Sequence, residues 1–329
     1  MAQKIITMSH GNGGRLMHEL IDVLRVKFSN RILNEMADAA ELDIKGNRLA
    51  FTTDSYVVKP LFFPGGDIGK LAVFGTVNDI AVKGAKPLYI SLAFIIEEGL
   101  DFLTFERIAK SIQEASRKAG VFVVTGDIKV VERGSADKIF INTAGIGVIE
   151  YKGRISSRAR KEDAIVINGS IGEHGLAILN ARENLGFESS IKSDCRNLNL
   201  EVKRCLSKSR KIHVMRDLTR GGLATSLCEI AKSSSLGIEI DEESIPVRKS
   251  VQKACDILGF DPLYIANEGK FVCFVSAGDA EKVRRAMSPR ARIIGRVTSQ
   301  HKGKVYLKTR IASSRILPML ESDLLPRIC

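Results

Sequence analysis

The sequence predicts an α+β protein of two domains followed by a C-terminal tail. Its 329 residues are enough for two domains of ordinary size, and hydrophobic residues at 44% of the chain can form a sizeable core. Strand-like and helix-like stretches are mixed in both halves, which favours α+β domains with mixed sheets over a doubly wound sheet. A polar, basic stretch without clear period, YKGRISSRARKED, separates the halves and places the domain boundary near residue 155.

In the first half, the spacing of apolar residues predicts helices and strands in a definite order. Apolar residues at helical spacing over 15–28, directly after a glycine-rich turn, predict the first helix. The next elements are a strand at 49–58, a helix at 70–82, a strand at 88–96, a helix at 105–119 ended by Gly120, and strands at 121–124 and 138–148.

The second half begins again with a strand and ends in a tail. The predicted elements are a strand at 164–168, a glycine-marked loop at 169–175 with a helix after it, a helix at 218–232, and strands at 271–275 and 305–307. Residues 311–329 form a flexible tail in which Pro318 and Pro326 disfavour one continuous helix. Fully extended, the tail could reach at most about 65 Å. It could therefore fold back onto the protein or extend to another one.

The net positive charge of the chain indicates which classes of ligand or partner molecule it could bind. With 50 Lys and Arg against 38 Asp and Glu, the formal net charge is +12, which suits nucleic acid, anionic nucleotides or an acidic protein. The densest basic stretches contain no interleaved aromatic residues and no recognition motif, so we expect no nucleic acid. There is no apolar run of membrane-spanning length and no secretory signal, so we expect a cytoplasmic protein without membrane contact.

The six cysteines do not form metal or redox motifs. None belongs to a CxxC pair, which argues against a zinc site and a dithiol centre. Cys329 differs from the others because it is the last residue of the sequence. A thiol on a mobile terminus can present its thiolate and can enter and leave a cleft, which favours a functional role over an accidental position.

A glycine-rich motif, HGNGG at 10–14, lies immediately before the first predicted helix. Glycines allow backbone N–H groups to approach phosphate oxygens, and the following helix N-terminus favours anions. A simple flexible turn explains the motif equally well. Neither GxxxxGK[ST] nor GxGxxG occurs in the chain.

Four aspartates lie in apolar or small-residue stretches: Asp54, Asp79, Asp127 and Asp217. A buried carboxylate is costly unless it has a partner, and Mg²⁺ binds carboxylates together with nucleotide phosphates. Helix capping or loop hydrogen bonding explains most single aspartates in such places. Four of them together favour a metal–nucleotide site.

Lys129 and Glu268 are further candidates. Lys129 follows the Gly126-Asp127 turn, where a cation could reach a phosphate or a developing negative charge. Glu268 precedes an apolar strand, so partial burial could raise its pKa toward that of a general base. A surface ion pair is the commoner role for both. The histidines other than His10 lack metal-ligand spacing and are interpreted as structural or surface residues.

Seven motifs, taken in order, carry a resemblance to a known family. The chain resembles the carbamoyl dehydratases of hydrogenase maturation, within the aminoimidazole ribonucleotide synthetase superfamily. The motifs are HGNGG (10–14), FTTDSYVV (51–58), VNDIAVKGA (77–85), GDIKVVERG (126–134), MRDLTRGGLA (215–224), ANEG (266–269) and PRIC (326–329). The acidic motifs are shared across the superfamily, whereas the PRIC terminus is specific. Ile128 departs from the family pattern GDTKVV and removes one hydroxyl near the expected phosphates.

The resemblance implies a fold, an assembly and a set of site residues. It implies an aminoimidazole ribonucleotide synthetase-like fold with an N-terminal ATP-binding and dimerisation domain (1–155), a C-terminal α+β domain (156–310) and a tail (311–329). The homodimer would form through the N-terminal domains, with ATP in a cleft close to that interface. The implied residues are Asp54, Asp79 and Asp217 for Mg²⁺; His10, Gly11, Asn12, Gly13, Gly14, Asn78, Asp127 and Arg220 for the nucleotide; and Lys129, Glu268 and Cys329 for catalysis.

The resemblance also implies a reaction and its partners. A carbamoyltransferase would load a carbamoyl group onto Cys329. The enzyme would dehydrate this thiocarbamate to a thiocyanate with ATP, and an iron-carrying maturation complex would receive the cyano group for a [NiFe] hydrogenase.

Two other functions remain open from the sequence. A relative acting on a free small molecule, such as a selenophosphate synthetase or thiamine monophosphate kinase, would share the acidic motifs but would have no use for PRIC. The chain also has no cysteine before Cys195, where selenophosphate synthetases generally use a reactive Cys or selenocysteine. A non-enzymatic maturation scaffold would tolerate loss of Asp79.

Overall fold

The protein is described by a computed structural model over residues 14–187, 191–311, 313–320 and 325–329. In the N-terminal domain the elements are α1 (Gly14–Lys27), β1 (Ala40–Ile44), β2 (Asn47–Tyr56), β3 (Phe62–Phe63), β4 (Gly66–Asp67), α2 (Ile68–Val82), β5 (Ala85–Glu97), α3 (Phe102–Ala119), β6 (Phe122–Val131) and β7 (Ile139–Ile149). In the C-terminal domain they are β8 (Asp163–Ile167), α4 (Glu173–Glu183), α5 (Asn199–Lys208), β9 (Ile212–Asp217), α6 (Gly222–Ser234), β10 (Gly237–Asp241), α7 (Lys249–Leu258), β11 (Phe271–Ser276), α8 (Ala280–Ala286), β12 (Arg292–Thr298), β13 (Val305–Lys308) and β14 (Ser314–Leu317).

The N-terminal domain is built on a five-stranded sheet in the order β1-β2-β7-β5-β6. Neighbouring strands are antiparallel except β5 and β6, which are parallel. Side chains alternate between the two faces of such strands, and on β7 alternate residues are buried. Helix α2 packs on this buried face, and α3 packs on α2. The opposite face, which we call the outer face, exposes Phe51, Tyr89 and Ile146 in one row across the strands.

The C-terminal domain is built on a seven-stranded mixed sheet in the order β14-β13-β10-β12-β8-β11-β9. Only β10 and β13 are parallel neighbours. The central strands β8 and β11 carry runs of buried residues because both of their faces are covered. The sheet therefore sits inside its domain, with β9 at one edge.

The two domains share part of their hydrophobic core. One cluster of buried residues includes Ile68 of α2, Leu176 of α4, Cys255 of α7, and Leu325 and Ile328 near the C-terminus. Helix α2 also contacts α5 and β9. The interface between the domains is therefore an apolar core rather than a loose hinge.

The predicted elements agree with the structure at most positions. Helix α3 ends at Gly120 as predicted, and the φ of 72° at that residue is one that glycine adopts without strain. The strand predicted at 121–124 was too short, because β6 continues to Val131 as the edge of the sheet. The helix predicted from residue 218 begins at Gly222, after a turn at which Gly221 and Gly222 both have positive φ.

The expected tail is partly ordered structure. Residues Ser314–Leu317 form β14, which pairs with β13, so the C-terminal sheet extends past the predicted limit at residue 310. The predicted boundary near residue 155 lies in the segment between β7 and β8. Within the described ranges, no helix combines the length and apolar character needed to cross a membrane.

Candidate active site

Three of the predicted acidic residues meet between the domains. Asp54 lies on β2, Asp79 on α2 and Asp217 at the end of β9. Asp54 is within hydrogen-bonding range of Asp79, and the charges of Asp54 and Asp217 both act on Asp79. We call these three residues the carboxylate cluster. The fourth predicted aspartate, Asp127, is not part of it.

Asp79 reaches this position because α2 is buried along nearly its whole length. Of its residues, all but Lys70 and Asp79 are buried. Asp67 caps the N-terminus of the helix, and its Oδ1 accepts a hydrogen bond from the Lys70 N–H at 2.9 Å. Gly75 allows the sheet to approach closely, since a Cβ there would lie 2.2 Å from the Tyr56 hydroxyl oxygen.

Burial and mutual repulsion weaken the acidity of the carboxylate cluster. Burial, followed by the charges of Asp54 and Asp217, raises the pKa of Asp79 well above its usual range. Burial also raises the pKa of Asp217 well above its usual range, and the like charge of Asp38 raises it further. The pKa of Asp54 is raised by burial, although Tyr56 donates a hydrogen bond to its Oδ2 at 3.2 Å. A bound cation would relieve this repulsion.

The donor set is suited to Mg²⁺ by its chemistry. Carboxylate oxygens are the side-chain ligands that Mg²⁺ prefers, and it completes its shell with water and substrate phosphates. Within the residues that the structure describes, no group of three or more His, Cys, Asp or Glu side chains is arranged to hold a metal ion by itself. A metal held here would have to take part of its ligands from outside the protein.

A second acidic residue group extends the cluster, and the sequence did not reveal it. Asp38 lies before β1, and its Oδ1 forms an ion pair with Arg216 Nε at 3.2 Å. Arg216 also pairs with Glu229 at 2.8 Å, and Glu229 pairs with His18 of α1 at 2.8 Å. Burial raises the pKa of Asp38, and its charge acts on both Asp79 and Asp217. The chain of contacts joins α1 to the site. Asp38 stands between alanines and outside the predicted helices and strands, so its pattern gave no signal.

The MRDLTRGGLA motif forms the tight connection from β9 to α6. Gly221 and Gly222 have φ of 76° and 61°, values that favour glycine. A Cβ on Gly222 would lie 2.7 Å from two backbone oxygens, those of Leu263 and Ile265. This close approach brings Arg220 near the acidic residues, where its charge lowers the pKa of Asp217 and Asp54 against the effect of burial.

Glu268 lies close enough to the carboxylate cluster for the charges of Asp217 and Asp54 to act on it. It is buried, and burial followed by the charge of Asp217 raises its pKa well above the usual range of a glutamate. The loop is fixed by Asp194, which accepts hydrogen bonds from the backbone N–H groups of Glu268 and Gly269 at 3.0 and 3.1 Å. A Cβ on Gly269 would lie 2.0 Å from the Asp194 carbonyl oxygen, which explains the glycine of ANEG.

The predicted nucleotide residues have different outcomes. His10, Gly11, Asn12 and Gly13 lie outside the described residues, and Gly14 begins α1 with a φ of 74°. Asn78 does not face the carboxylate cluster: its Oδ1 accepts from the Leu198 N–H at 2.8 Å, and its Nδ2 donates to the Arg196 carbonyl at 3.1 Å. Asn78 thus joins the two domains.

Asp127 and Lys129 lie on the other side of the five-stranded sheet. They are exposed and pair with each other at 2.7 Å on β6. Strand register places Asp127 in the row of Ser55, three strands away at about 14 Å, on the outer face. Asp54 points to the opposite face. Within one chain, the structure therefore does not bring these two predicted residues to the carboxylate cluster.

The chain's last residues, 325–329, lie against the segment that follows β2, and we call them the tail segment. A main-chain oxygen of Cys329 accepts a hydrogen bond from the Val57 N–H at 3.0 Å, and the Arg327 carbonyl accepts one from the Lys59 N–H at 3.2 Å. Val57 follows β2, three residues after Asp54, a spacing of roughly 10 Å. Cys329 is partly exposed, whereas the other five cysteines are buried. Of the two resting places left open by the sequence, the described tail segment adopts the folded-back one.

The comparisons with known proteins agree with this architecture. Family models described as AIR synthase related protein match in two parts, the N-terminal domain over residues 36–149 and the C-terminal domain over residues 160–308.

Relatives of known name match over nearly the full length. The carbamoyl dehydratase HypE of Bradyrhizobium diazoefficiens is 47% identical over 98% of this chain and 96% of its own. A crystal structure of the hydrogenase maturation protein HypE in complex with ATP matches with a TM-score of 0.84 and 47% identity, covering 99% of this chain and 100% of the other. A chain in a HypE–HypF complex matches with a TM-score of 0.88 and 46% identity, covering 93% and 100%. The chain therefore belongs to the HypE family of AIR synthase related proteins.

Proposed function

We propose that this chain is an ATP-dependent carbamoyl dehydratase that converts an S-carbamoyl group on its own Cys329 to a thiocyanate, the source of the cyanide ligand of [NiFe] hydrogenase iron. The observation that carries the proposal is the position of the tail segment, which docks Cys329 next to β2, the strand that bears Asp54. The name of its relatives, carbamoyl dehydratase, supports the same reaction.

The reaction breaks the carbon–oxygen bond of the thiocarbamate after its oxygen has been phosphorylated. The amide oxygen of the thiocarbamate attacks the γ-phosphorus of ATP, the bond to the β-phosphate oxygen breaks, and ADP leaves. The phosphorylated oxygen then leaves carbon as inorganic phosphate while nitrogen gives up its two protons, so the products are thiocyanate, ADP and phosphate. Phosphorylation is needed because an amide oxygen alone is a poor leaving group.

Glu268 is proposed to accept a proton from the amide nitrogen. A carboxylate of ordinary pKa is a weak base, and burial raises the pKa of Glu268 well above that range. Asp194 fixes the loop by accepting from the backbone N–H groups of Glu268 and Gly269. Arg220 adds a positive charge beside Glu268 and Asp217, where the transferring phosphate would lie.

ATP and Mg²⁺ are proposed as cosubstrate and cofactor. A relative crystallised with ATP supports nucleotide binding. Asp54, Asp79 and Asp217 would hold Mg²⁺, and the metal would supply charge neutralisation at the transferring phosphate. The described part of the phosphate motif, Gly14, begins α1, whose His18 is tied through Glu229 to Arg216.

We also propose a homodimer formed through the outer face. The exposed row of Phe51, Tyr89 and Ile146 is the kind of apolar surface that partners cover. Asp127 and Lys129 lie on that face, so their proposed roles in nucleotide positioning and charge stabilisation require a second copy to complete the site.

The proposed maturation partners act on the tail. A carbamoyltransferase would load Cys329, and an iron-carrying complex would receive the cyano group. A relative that was crystallised in a HypE–HypF complex supports an encounter with another maturation protein.

The test is the mass of the C-terminal peptide after loading by the carbamoyltransferase, with and without MgATP. We expect carbamoylated Cys329 to lose one water only with MgATP, and Cys329→Ala to bind ATP but give no product. A loaded cysteine that keeps its water in MgATP would contradict the proposal. If Cys329 never loads and tail removal leaves a small-molecule kinase activity unchanged, the kinase alternative is correct.

A further inference from the structure

We propose that Arg182, His174 and Ser193 are positioning residues that seat the tail segment, and that residues 193–195 couple this seat to the loop of Glu268. The inference rests on the proposed function, because a seat for Cys329 matters to catalysis only if Cys329 carries the reacting group. It assigns a role to side chains of α4 and of the segment before α5 that lie outside the carboxylate cluster.

Arg182 of α4 holds the tail segment by its main chain. Its Nη1 donates to the Pro326 carbonyl at 2.8 Å and its Nη2 donates to the Arg327 carbonyl at 2.7 Å. Its Nε donates to the Lys59 carbonyl at 3.0 Å. One guanidinium therefore joins the tail segment to the strand end with which it pairs, a geometry that the fixed fork of arginine supplies and lysine does not.

His174, near the start of α4, binds the carbonyl of Ile328. Its Nε2 lies 2.7 Å from the Ile328 oxygen, and its Nδ1 lies 2.7 Å from the Ser193 hydroxyl. Burial lowers the pKa of His174, so the ring is neutral and carries one N–H. Since a carbonyl only accepts, Nε2 must donate to Ile328 and Nδ1 must accept from Ser193. Ser193 thus sets the tautomer that can bind the tail.

The segment that contains Ser193 also carries the anchor of the Glu268 loop. Asp194 accepts from the backbone N–H groups of Glu268 and Gly269, and Lys270 pairs with it at 2.6 Å. The Cys195 N–H donates to the Ser193 hydroxyl oxygen at 3.0 Å, and the Ser193 N–H donates to the Pro64 carbonyl at 2.8 Å. Three consecutive residues thus fix the tail on one side and Glu268 on the other. The separation between carrier and base is set by one short, doubly anchored segment.

The test follows the accessibility of Cys329 in the full-length protein, without needing turnover. Iodoacetamide alkylation is timed by the mass of the C-terminal peptide, and the five buried cysteines report on the integrity of the fold. Arg182→Gln should raise the alkylation rate of Cys329 by about tenfold or more, because two charged hydrogen bonds to the tail are lost. The matched control is Arg158→Gln, at an exposed arginine, which should leave the rate unchanged.

Ser193→Ala is the second variant. It removes the hydroxyl that donates to His174 Nδ1 and leaves the imidazole ring in place. We expect faster alkylation of Cys329 and slower dehydration of the loaded cysteine at saturating MgATP. If Arg182→Gln exposes the buried cysteines, its fold is damaged and Ser193→Ala decides. Equal alkylation rates in wild type and in the intact variants would overturn the proposal.

The two proposals fail separately. If Cys329→Ala abolishes product but neither variant changes alkylation, the dehydratase function stands and the positioning role is wrong. If both variants expose Cys329 but the loaded cysteine never loses water, the seat exists and the proposed function is wrong.

Discussion

Asp79 lies on a helix whose other residues, apart from Lys70, are all buried, and its carboxyl group is surrounded by the charges of Asp54, Asp217 and Asp38. Such a residue costs free energy in the ligand-free protein, since like charges in a buried setting repel one another. Sites that bind charged ligands often carry this kind of destabilisation. Residues of the carboxylate cluster should therefore be unfavourable for stability and necessary for activity.

The substitution Asp79→Asn separates these two effects. Removing one charge should raise the free energy of unfolding at pH 8 by about 1 kcal/mol or more, measured by urea denaturation without metal or nucleotide. It should lower the dehydration rate by at least about 100-fold, because a proposed metal ligand is lost. Asp22→Asn on the exposed side of α1 should change both by little. Full activity in Asp79→Asn would contradict the assignment and favour the scaffold alternative.

Stability should also depend on pH with a defined sign. Asp79, Asp217 and Glu268 have folded-state pKa values raised chiefly by burial, so the folded protein holds their protons more tightly than the unfolded chain. Their contribution is complete below about pH 4, the unfolded value, and is lost as pH rises through the raised folded values.

Urea denaturation at several pH values between 5 and 8 measures this slope. We expect the free energy of unfolding of Asp79→Asn to fall less with pH than that of wild type, and MgCl₂ at pH 8 to stabilise wild type more than the variant. Parallel pH profiles would show that these carboxyl groups do not interact as described.

At the scale of single residues, the sequence identifies a site residue when a polar side chain stands among apolar or small neighbours in the chain. Asp54, Asp79 and Asp217 could be predicted because each interrupts an apolar or glycine-marked stretch. Asp38 could not, because it lies outside the predicted helices and strands and becomes part of the site only through Arg216, which is 178 positions away.

At the scale of elements, β6 is the strand that bears Asp127 and Lys129, the two predicted residues that one chain does not bring to the carboxylate cluster. It is the edge of the five-stranded sheet, and nearly all of its residues are exposed. An uncovered edge and an apolar face together are liabilities that an oligomeric contact removes. The strand predicted at 121–124 covers only the first three residues of β6, since the Gly126-Asp127 pair that follows reads as a turn. Pairing with β5 extends the strand through Val131.

Ile146→Lys should disrupt the proposed homodimer. The side chain is central in the row with Phe51 and Tyr89, and an ammonium there would be buried without a partner on association. Sedimentation velocity should show a shift from dimer to monomer. The matched control is Ile257→Lys, at a 73% exposed isoleucine of α7, which should sediment like wild type. A dimer that tolerates Ile146→Lys would place the interface elsewhere.

At the scale of the whole molecule, the two domains and the tail segment close around one shared core. Leu325 and Ile328 are buried in the same cluster as Ile68 of the N-terminal domain and Leu176 of the C-terminal domain. The fold class could be predicted from local pattern and motif order. The resting place of the tail segment could not, because it depends on α4 and on residues 57–59, which lie far from it in sequence.

Removal of residues 325–329 should act on stability as well as on activity. Losing two buried aliphatic side chains should lower the free energy of unfolding by about 2–5 kcal/mol, measured by denaturant titration. Cys329→Ala keeps those side chains and should remain within about 1 kcal/mol of wild type while giving no product. If the truncated chain is as stable as Cys329→Ala, the tail segment is not docked in solution.

Arg182 and His174 hold the tail segment through the carbonyls of Pro326, Arg327 and Ile328, and Val57 holds it through a main-chain oxygen of Cys329. These hydrogen bonds do not depend on the group that Cys329 carries, since the main-chain oxygens are the same whether the sulfur is a free thiol, carbamoylated or cyanated. The docking equilibrium alone therefore cannot give the cycle a direction. The direction of the cycle must come from the phosphoryl transfer. Its timing must come from the partner that binds the tail segment while it is undocked.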